Sequence, residues 1–267
     1  MNAKEFTGEL LGTFILVLFG CGSVAVATLF SEYSGIFQIG LAWGIGVTLA
    51  IYITRHLSCA HLNPAVSIGM VISKRMTVRK LPGYLIAQFL GAFVAGWTIY
   101  LLFSPSIAAY ENTHEIVRGS AESVATAKMF GEYYTGGTAV VSMPLAIAAE
   151  AFGTFLLVLF IFALTEGCNV GRPSDGMAPV FIGLTVSSII FLVAPLTQAG
   201  LNPARDFGPR MVAWLSGWSS AAFPDNFGGF FFVYILGPVI GGTIAACFFL
   251  YIIEPLMKKK TQGCDCE

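Results

Sequence analysis

The chain has 267 residues, 56% of them hydrophobic and only 11% charged, with a formal net charge of −1. That composition excludes a soluble domain with a charged skin and gives no reason to expect a nucleic-acid partner. A lipid bilayer is the better solvent for it.

Windows of about 20 apolar residues, the length that spans a bilayer, fall in chain order at about 8–30, 36–54, 81–103, 144–164, 178–197 and 229–253. Each is far longer than the roughly 10 residues of a barrel strand and none alternates, so six helical spans are predicted. The first window has no small-residue cleavage site behind it and is matched by five more, so it reads as a retained span rather than a signal peptide. The connection 104–143 carries Glu111, Glu115, Glu122 and Glu132, and residues 254–267 form a tail. Ten of the fourteen Lys and Arg fall on one side of this six-span chain: Lys4, Arg55, Lys74, Arg75, Arg79, Lys80, Arg172, Lys258, Lys259 and Lys260. Arg118, Lys128, Arg205 and Arg210 make up the other four. The excess of positive charge places both termini in the cytoplasm and 104–143 outside. Cys21 and Cys247 sit inside spans as small hydrophobes, and Cys264-x-Cys266 ends the chain with no partner residues for a metal site, as a disordered tail would. No metal, cofactor or nucleophile–base pair is expected, and so no enzyme.

The spans repeat. Residues 9–19, ELLGTFILVLF, match 150–160, EAFGTFLLVLF, at eight of eleven positions, and Ile39-Gly40-Leu41 matches Ile182-Gly183-Leu184. Leu-Asn-Pro-Ala occurs at 62–65 and again at 201–204, and Tyr84, Leu90 and Gly91 correspond to Tyr234, Ile240 and Gly241. The chain is a tandem duplication of about 6–103 and 144–253, together one membrane domain. Three spans per copy is an odd number, so the second copy enters the membrane from the opposite side, as an inverted repeat about an axis in the membrane plane.

Asn is a preferred N-cap and Pro a preferred first helical residue, so Asn63-Pro64 and Asn202-Pro203 each start a helix. The run from Pro64 to Val71 is too short to span and too apolar for an exposed loop, and the second box opens a similar half-helix. Inversion brings the two half-helices in from opposite sides with their N-termini meeting near the midplane. Non-helical backbone at that depth survives only when it is buried in protein or lines a wet cavity, which marks 57–62 and 197–201 as path-lining. Each N-terminus contributes about +0.5 of an elementary charge, so cations are repelled where they meet and a small neutral molecule with hydroxyl groups is favoured.

At these residues the chain resembles the major intrinsic protein family, the aquaporins and aquaglyceroporins, from Phe6 to Tyr251. The string GLNPARDFGPR is similar to the glycerol-facilitator branch, where an aspartate follows the arginine of the second box, here Asp206, with a basic residue four further on, here Arg210. The resemblance implies an all-α, right-handed bundle of six spans and two half-helices, with a pore in every subunit of a homotetramer. It implies passive passage of glycerol, water and other small neutral solutes, with membrane lipid around the channel, in what the branch suggests is a bacterial inner membrane. Within the boxes Asn63-Pro64-Ala65 and Asn202-Pro203-Ala204 it makes the two asparagines midplane donors. The carbonyls of Cys59, Ala60, His61, Gln198, Ala199 and Gly200 become an acceptor ladder, and Glu9 and Glu150 become loop-bracing carboxylates. The narrowest ring aligns with Trp43, Ile190, Ala199 and Arg205.

Two positions depart from bacterial glycerol facilitators, which have glycine and phenylalanine where Ile190 and Ala199 stand; the ring is closer to that of plant nodulin-26-like channels, which also pass neutral metalloid acids. Tyr234 stands where facilitators place proline. Asp206 and Arg210 therefore imply a polyol, while the ring and Tyr234 imply mixed permeability; a water-selective pore is the alternative. Intramembrane carboxylates need partners, and two symmetric copies beside two symmetric loops favour bracing over proton relay. His61 reads as a hydrogen-bonded loop histidine. A secondary active transporter would need coupling charges that the spans lack, and a junction protein with a vestigial pore would have no use for Arg205.

Overall fold

A computed structural model of the chain describes residues 1–31, 35–135, 139–224 and 228–260; Cys264 and Cys266 lie outside them. Among the described residues six helices are long and apolar enough to cross a bilayer. They are α1 (Ala3–Leu29), α2 (Ile36–Ser58), α4 (Leu81–Thr113), α5 (Met143–Thr165), α6 (Ala178–Thr197) and α8 (Gly228–Lys258), with two short helices, α3 (Pro64–Ile72) and α7 (Pro203–Ala213), between them. Several windows were shorter than their helices. α4 continues to Thr113 rather than ending near 103, and the chain stays helical from Glu254 to Lys260 where a tail was expected.

The repeat governs the packing. α1 packs on α2 and α4 as α5 packs on α6 and α8, and α2 meets α6 across the pseudo-two-fold axis. Each short helix leans on the last span of the other repeat, α7 on α4 and α3 on α8. Small residues set these approaches. A Cβ on Gly91 would lie 2.3 Å from the Leu10 carbonyl oxygen, and one on its counterpart Gly241 would lie 1.9 Å from that of Ala151. In hydrocarbon the helices gain nothing from hiding apolar surface from one another, so such close backbone contact is what holds them together.

The nine residues of α3 and eleven of α7, at 1.5 Å rise each, together reach about 30 Å, the thickness of the hydrocarbon core. Both are capped as their sequences predict: Asn63 Oδ1 accepts from the Ala65 N–H at 2.9 Å, and Asn202 Oδ1 from those of Ala204 at 3.0 Å and Arg205 at 3.2 Å. The stretch leading into each is strained. Cys59, Ala60 and Leu62 have φ of 68°, 54° and 54°, and Gln198, Ala199 and Leu201 have 66°, 63° and 55°. A left-handed conformation costs a non-glycine residue about 1–2 kcal/mol.

Buried acceptors offset that strain. Glu9 accepts from the His61 N–H at 2.9 Å, the Leu62 N–H at 2.7 Å and the Gln88 amide at 2.7 Å. Glu150 accepts from the Gly200 N–H at 2.9 Å, the Leu201 N–H at 2.7 Å and the Thr197 hydroxyl at 2.5 Å. Both carboxylates are fully buried. A second symmetric pair comes from the last spans: the Tyr84 hydroxyl donates to the Ser58 carbonyl at 2.6 Å and that of Tyr234 to the Thr197 carbonyl at 3.0 Å.

Gly241→Ala forces α5 and α8 apart and should cost about 1–3 kcal/mol, the usual range for overpacking, seen as a lower melting temperature in detergent. Glu9→Gln or Glu150→Gln turns one acceptor oxygen into a donor facing a backbone N–H and should cost about 2–3 kcal/mol per lost charge-assisted bond. We expect lower folded yield with little change in the solute preference of the protein that folds. A well-folded variant with normal water flux and an altered ranking of solutes contradicts that role.

Candidate functional site

Two cavities meet inside the bundle. One, of about 510 Å³, opens on the face that carries the start of α1 and the end of α8, the termini side, where Glu5, Arg75, Thr77 and Lys80 line it, and it runs up to Asn63, Asn202 and Arg205. The other, of about 440 Å³, opens on the far face and is lined by Tyr110, Lys128, Glu132 and Gln198 among others. Trp43 and Ile190 belong to the walls of both. Trp43 and Ile190 therefore stand where the cavities join, while Ala199 and Arg205 line the first cavity, and each of the four is buried to 6% exposure or less.

Each is delivered by a different element. Trp43 projects from α2 against a bare patch of α1, since a Cβ on Gly20 would sit 2.2 Å from the indole. Ile190 comes from α6, Ala199 from the strained stretch, and Arg205 from the first turn of α7. The Arg205 guanidinium lies over the Trp43 ring at 4.3 Å, within the range of a cation–π contact. Its Nη2 is ion-paired with Glu132, and its Nη1 has no hydrogen-bond partner among the described residues. Arg205 thus presents a buried guanidinium nitrogen with unspent N–H donors beside the cavity that it lines.

Deeper in, the asparagines clasp the two loops together. Asn63 Nδ2 donates to the Leu201 carbonyl at 3.0 Å and Asn202 Nδ2 to the Leu62 carbonyl at 2.8 Å. Each amide has two N–H groups, so one remains on each for the cavity that both residues line. Of the six carbonyl-ladder residues, Cys59, Ala60, His61, Ala199 and Gly200 line the termini-side cavity and Gln198 the far one. His61 is braced by contact between Nδ1 and the Ser67 hydroxyl at 3.2 Å and packs against Tyr84, ring centroids 4.9 Å apart.

Asp206 and Arg210 lie elsewhere. They are 0% and 1% exposed and line neither cavity. Arg210 Nε and Nη2 bind the two Asp206 oxygens at 2.9 and 2.8 Å, and its Nη1 donates to the Ala222 carbonyl at 2.7 Å. The pair grips the far-side connection: Asp206 Oδ1 accepts from the Glu132 N–H at 2.7 Å, and Arg210 Nη2 donates to the Glu132 carbonyl at 2.5 Å. Next to it the Tyr133 N–H donates to the Gln198 side chain at 2.8 Å. Sequence reasoning missed Glu132, one of four glutamates in that connection; the signal available was an intramembrane arginine with no acid assigned to it.

The sequence profile described as Major intrinsic protein matches residues 1–249. The glycerol uptake facilitator protein of Pseudomonas aeruginosa is 40% identical over 239 residues, covering 90% of this chain and 83% of that protein. That of Escherichia coli K12 is 40% identical over 242 residues, covering 89% and 84%, and the propanediol uptake facilitator of Citrobacter freundii is 37% identical over 249 residues, covering 92% and 90%. Among solved structures, the aquaglyceroporin from Plasmodium falciparum superposes with a TM-score of 0.83 at 29% identity, over 96% of this chain and 98% of that one. With six apolar spans, two capped half-helices and a profile match along nearly its whole length, this integral, multi-pass membrane chain belongs to the major intrinsic protein family.

Proposed function

We propose that the chain is a passive channel for glycerol and other small neutral solutes, with water, in a bacterial inner membrane, with both termini cytoplasmic and four copies per assembly. The observation that carries the solute class is the junction of the two cavities: one unspent guanidinium donor and one free amide hydrogen on each of two asparagines, facing apolar walls from Trp43, Ile190, Val47, Val66 and Val186. A polyol has hydroxyls for the first set and a carbon backbone for the second. Two helix N-termini aimed at the same point repel cations. Among the described residues the carboxylate that lines the path between its mouths, Glu132, is ion-paired with Arg205 and so is not free to couple to an ion gradient. The 40%-identical relatives named as glycerol uptake facilitators support the same reading.

Trp43, Ile190, Ala199 and Arg205 are the selectivity constriction. The branched Ile190 narrows the opening, Ala199 leaves a wall open, and none of the other three is an aromatic that would complete a corner with Trp43 for the carbon chain. Discrimination among small neutral solutes is accordingly loose.

Proteoliposomes under osmotic gradients should pass water and glycerol together, and dissipating a proton or sodium gradient should leave the glycerol flux unchanged. A glycerol uptake that collapsed with either gradient overturns passive transport. On the same vesicles, Ile190→Gly with Ala199→Phe should shift the ratio toward glycerol by about tenfold, the low end of what a methylene-sized change is worth in a pocket. A wild type that passed water but excluded glycerol would show the constriction to be narrower than this reading requires.

A further inference from the structure

We infer that Glu132 keeps anions out of the channel. Two helix N-termini of about +0.5 elementary charge each and the guanidinium of Arg205 lie along one path. They turn cations away, but alone they would make the narrowest stretch a low-dielectric anion site of about +2 elementary charges. Lys128, in the wall of the far cavity, adds a further cation at the approach. A channel for neutral solutes has to lower this field, and one carboxylate there takes it from about +2 to about +1.

Among the described residues the carboxylates lining either cavity are Glu5 and Glu132. Glu5 sits at the opposite mouth, bound to Lys80 at 2.5 Å. Glu132 stands at the constriction, ion-paired with Arg205, both side chains 4% exposed. It reaches that place because its main chain is held on both sides, the N–H by Asp206 and the carbonyl by Arg210. The preceding residue must be glycine, since a Cβ at Gly131 would lie 2.7 Å from Arg210 Cζ. Asp206 and Arg210 neutralise each other, add no net charge to the path, and act as positioning residues for Glu132.

The inference rests on Arg205 marking the constriction, and glycerol flux tests that reading separately from ion selectivity. Each variant is measured two ways: glycerol flux in proteoliposomes, and current in planar bilayers across a tenfold potassium nitrate gradient. Wild type should pass glycerol and no measurable current. Glu132→Gln should pass nitrate at least tenfold above the wild-type background, with a reversal potential on the nitrate side, and Glu132→Asp, which keeps the charge, should restore exclusion. Arg205→Ala removes the guanidinium and keeps Glu132, which takes the same stretch from about +1 to about zero, so any current it passes should show no preference for nitrate; this selectivity decides the matter even if Glu132→Gln does not fold. A Glu132→Gln pore that passes glycerol yet stays as tight to nitrate as wild type, or an Arg205→Ala leak that prefers nitrate, overturns the inference. Absence of glycerol flux in wild type would instead strike the functional reading.

Discussion

A hydrocarbon core has no hydrogen bond to offer a backbone amide, and everything unusual in this chain answers to that constraint. The two stretches that enter the core without helical structure contain six left-handed, non-glycine residues between them. They stay ordered because Glu9 and Glu150 accept their N–H groups, Tyr84 and Tyr234 bind the carbonyls that open them, and each asparagine reaches across to the other stretch. Strain and bracing are one solution to one problem, built twice by the duplication.

Residues that touch the path are sparse, and those that hold them are buried and polar. Asp206 and Arg210 show the difference best. They carry the sequence likeness to the glycerol-facilitator branch, yet neither lines a cavity. Their influence passes through Glu132, whose main chain they fix and whose side chain binds Arg205. A second strut holds the same connection farther out: Glu111 accepts from Arg118 Nη2 at 2.8 Å and from the Thr126 hydroxyl at 2.8 Å, and Trp218 Nε1 donates to Thr126 at 2.9 Å.

Spans, half-helices and repeat were legible because the bilayer writes them in composition and period: long apolar runs, an Asn-Pro cap twice, and a matched string in each half. The length of α4 was not, because beyond 103 the apolar run gives way to serine, proline, alanine and polar residues while the backbone stays helical. Glu132 was not legible either. Its position depends on hydrogen bonds to residues 74 and 78 places away in sequence, and nothing local separates it from Glu115 or Glu122. Tyr84 and Tyr234 were visible as a matched pair, but only coordinates reveal that both point their hydroxyls at the carbonyl where a helix stops.

The scaffold keeps its pseudo-symmetry and the constriction breaks it. Glu9 and Glu150, Tyr84 and Tyr234, Gly91 and Gly241, and the two asparagines are interchangeable between halves. Under the same repeat alignment Trp43 corresponds to Val186, Ile190 to Val47, Ala199 to Ala60 and Arg205 to Val66, and all four counterparts line the termini-side cavity. The duplication thus gives two equivalent sets of lining positions. One set holds an indole and a guanidinium; the other holds three valines and an alanine. Charge is confined in the same way, since Val66, the counterpart of Arg205, needs no acid, and a carboxylate on the far-side connection can neutralise the cation fixed at the constriction. A symmetric fold satisfies the bilayer, and the side chains that break the symmetry, Trp43 and Arg205 among them, are gathered at one end of it.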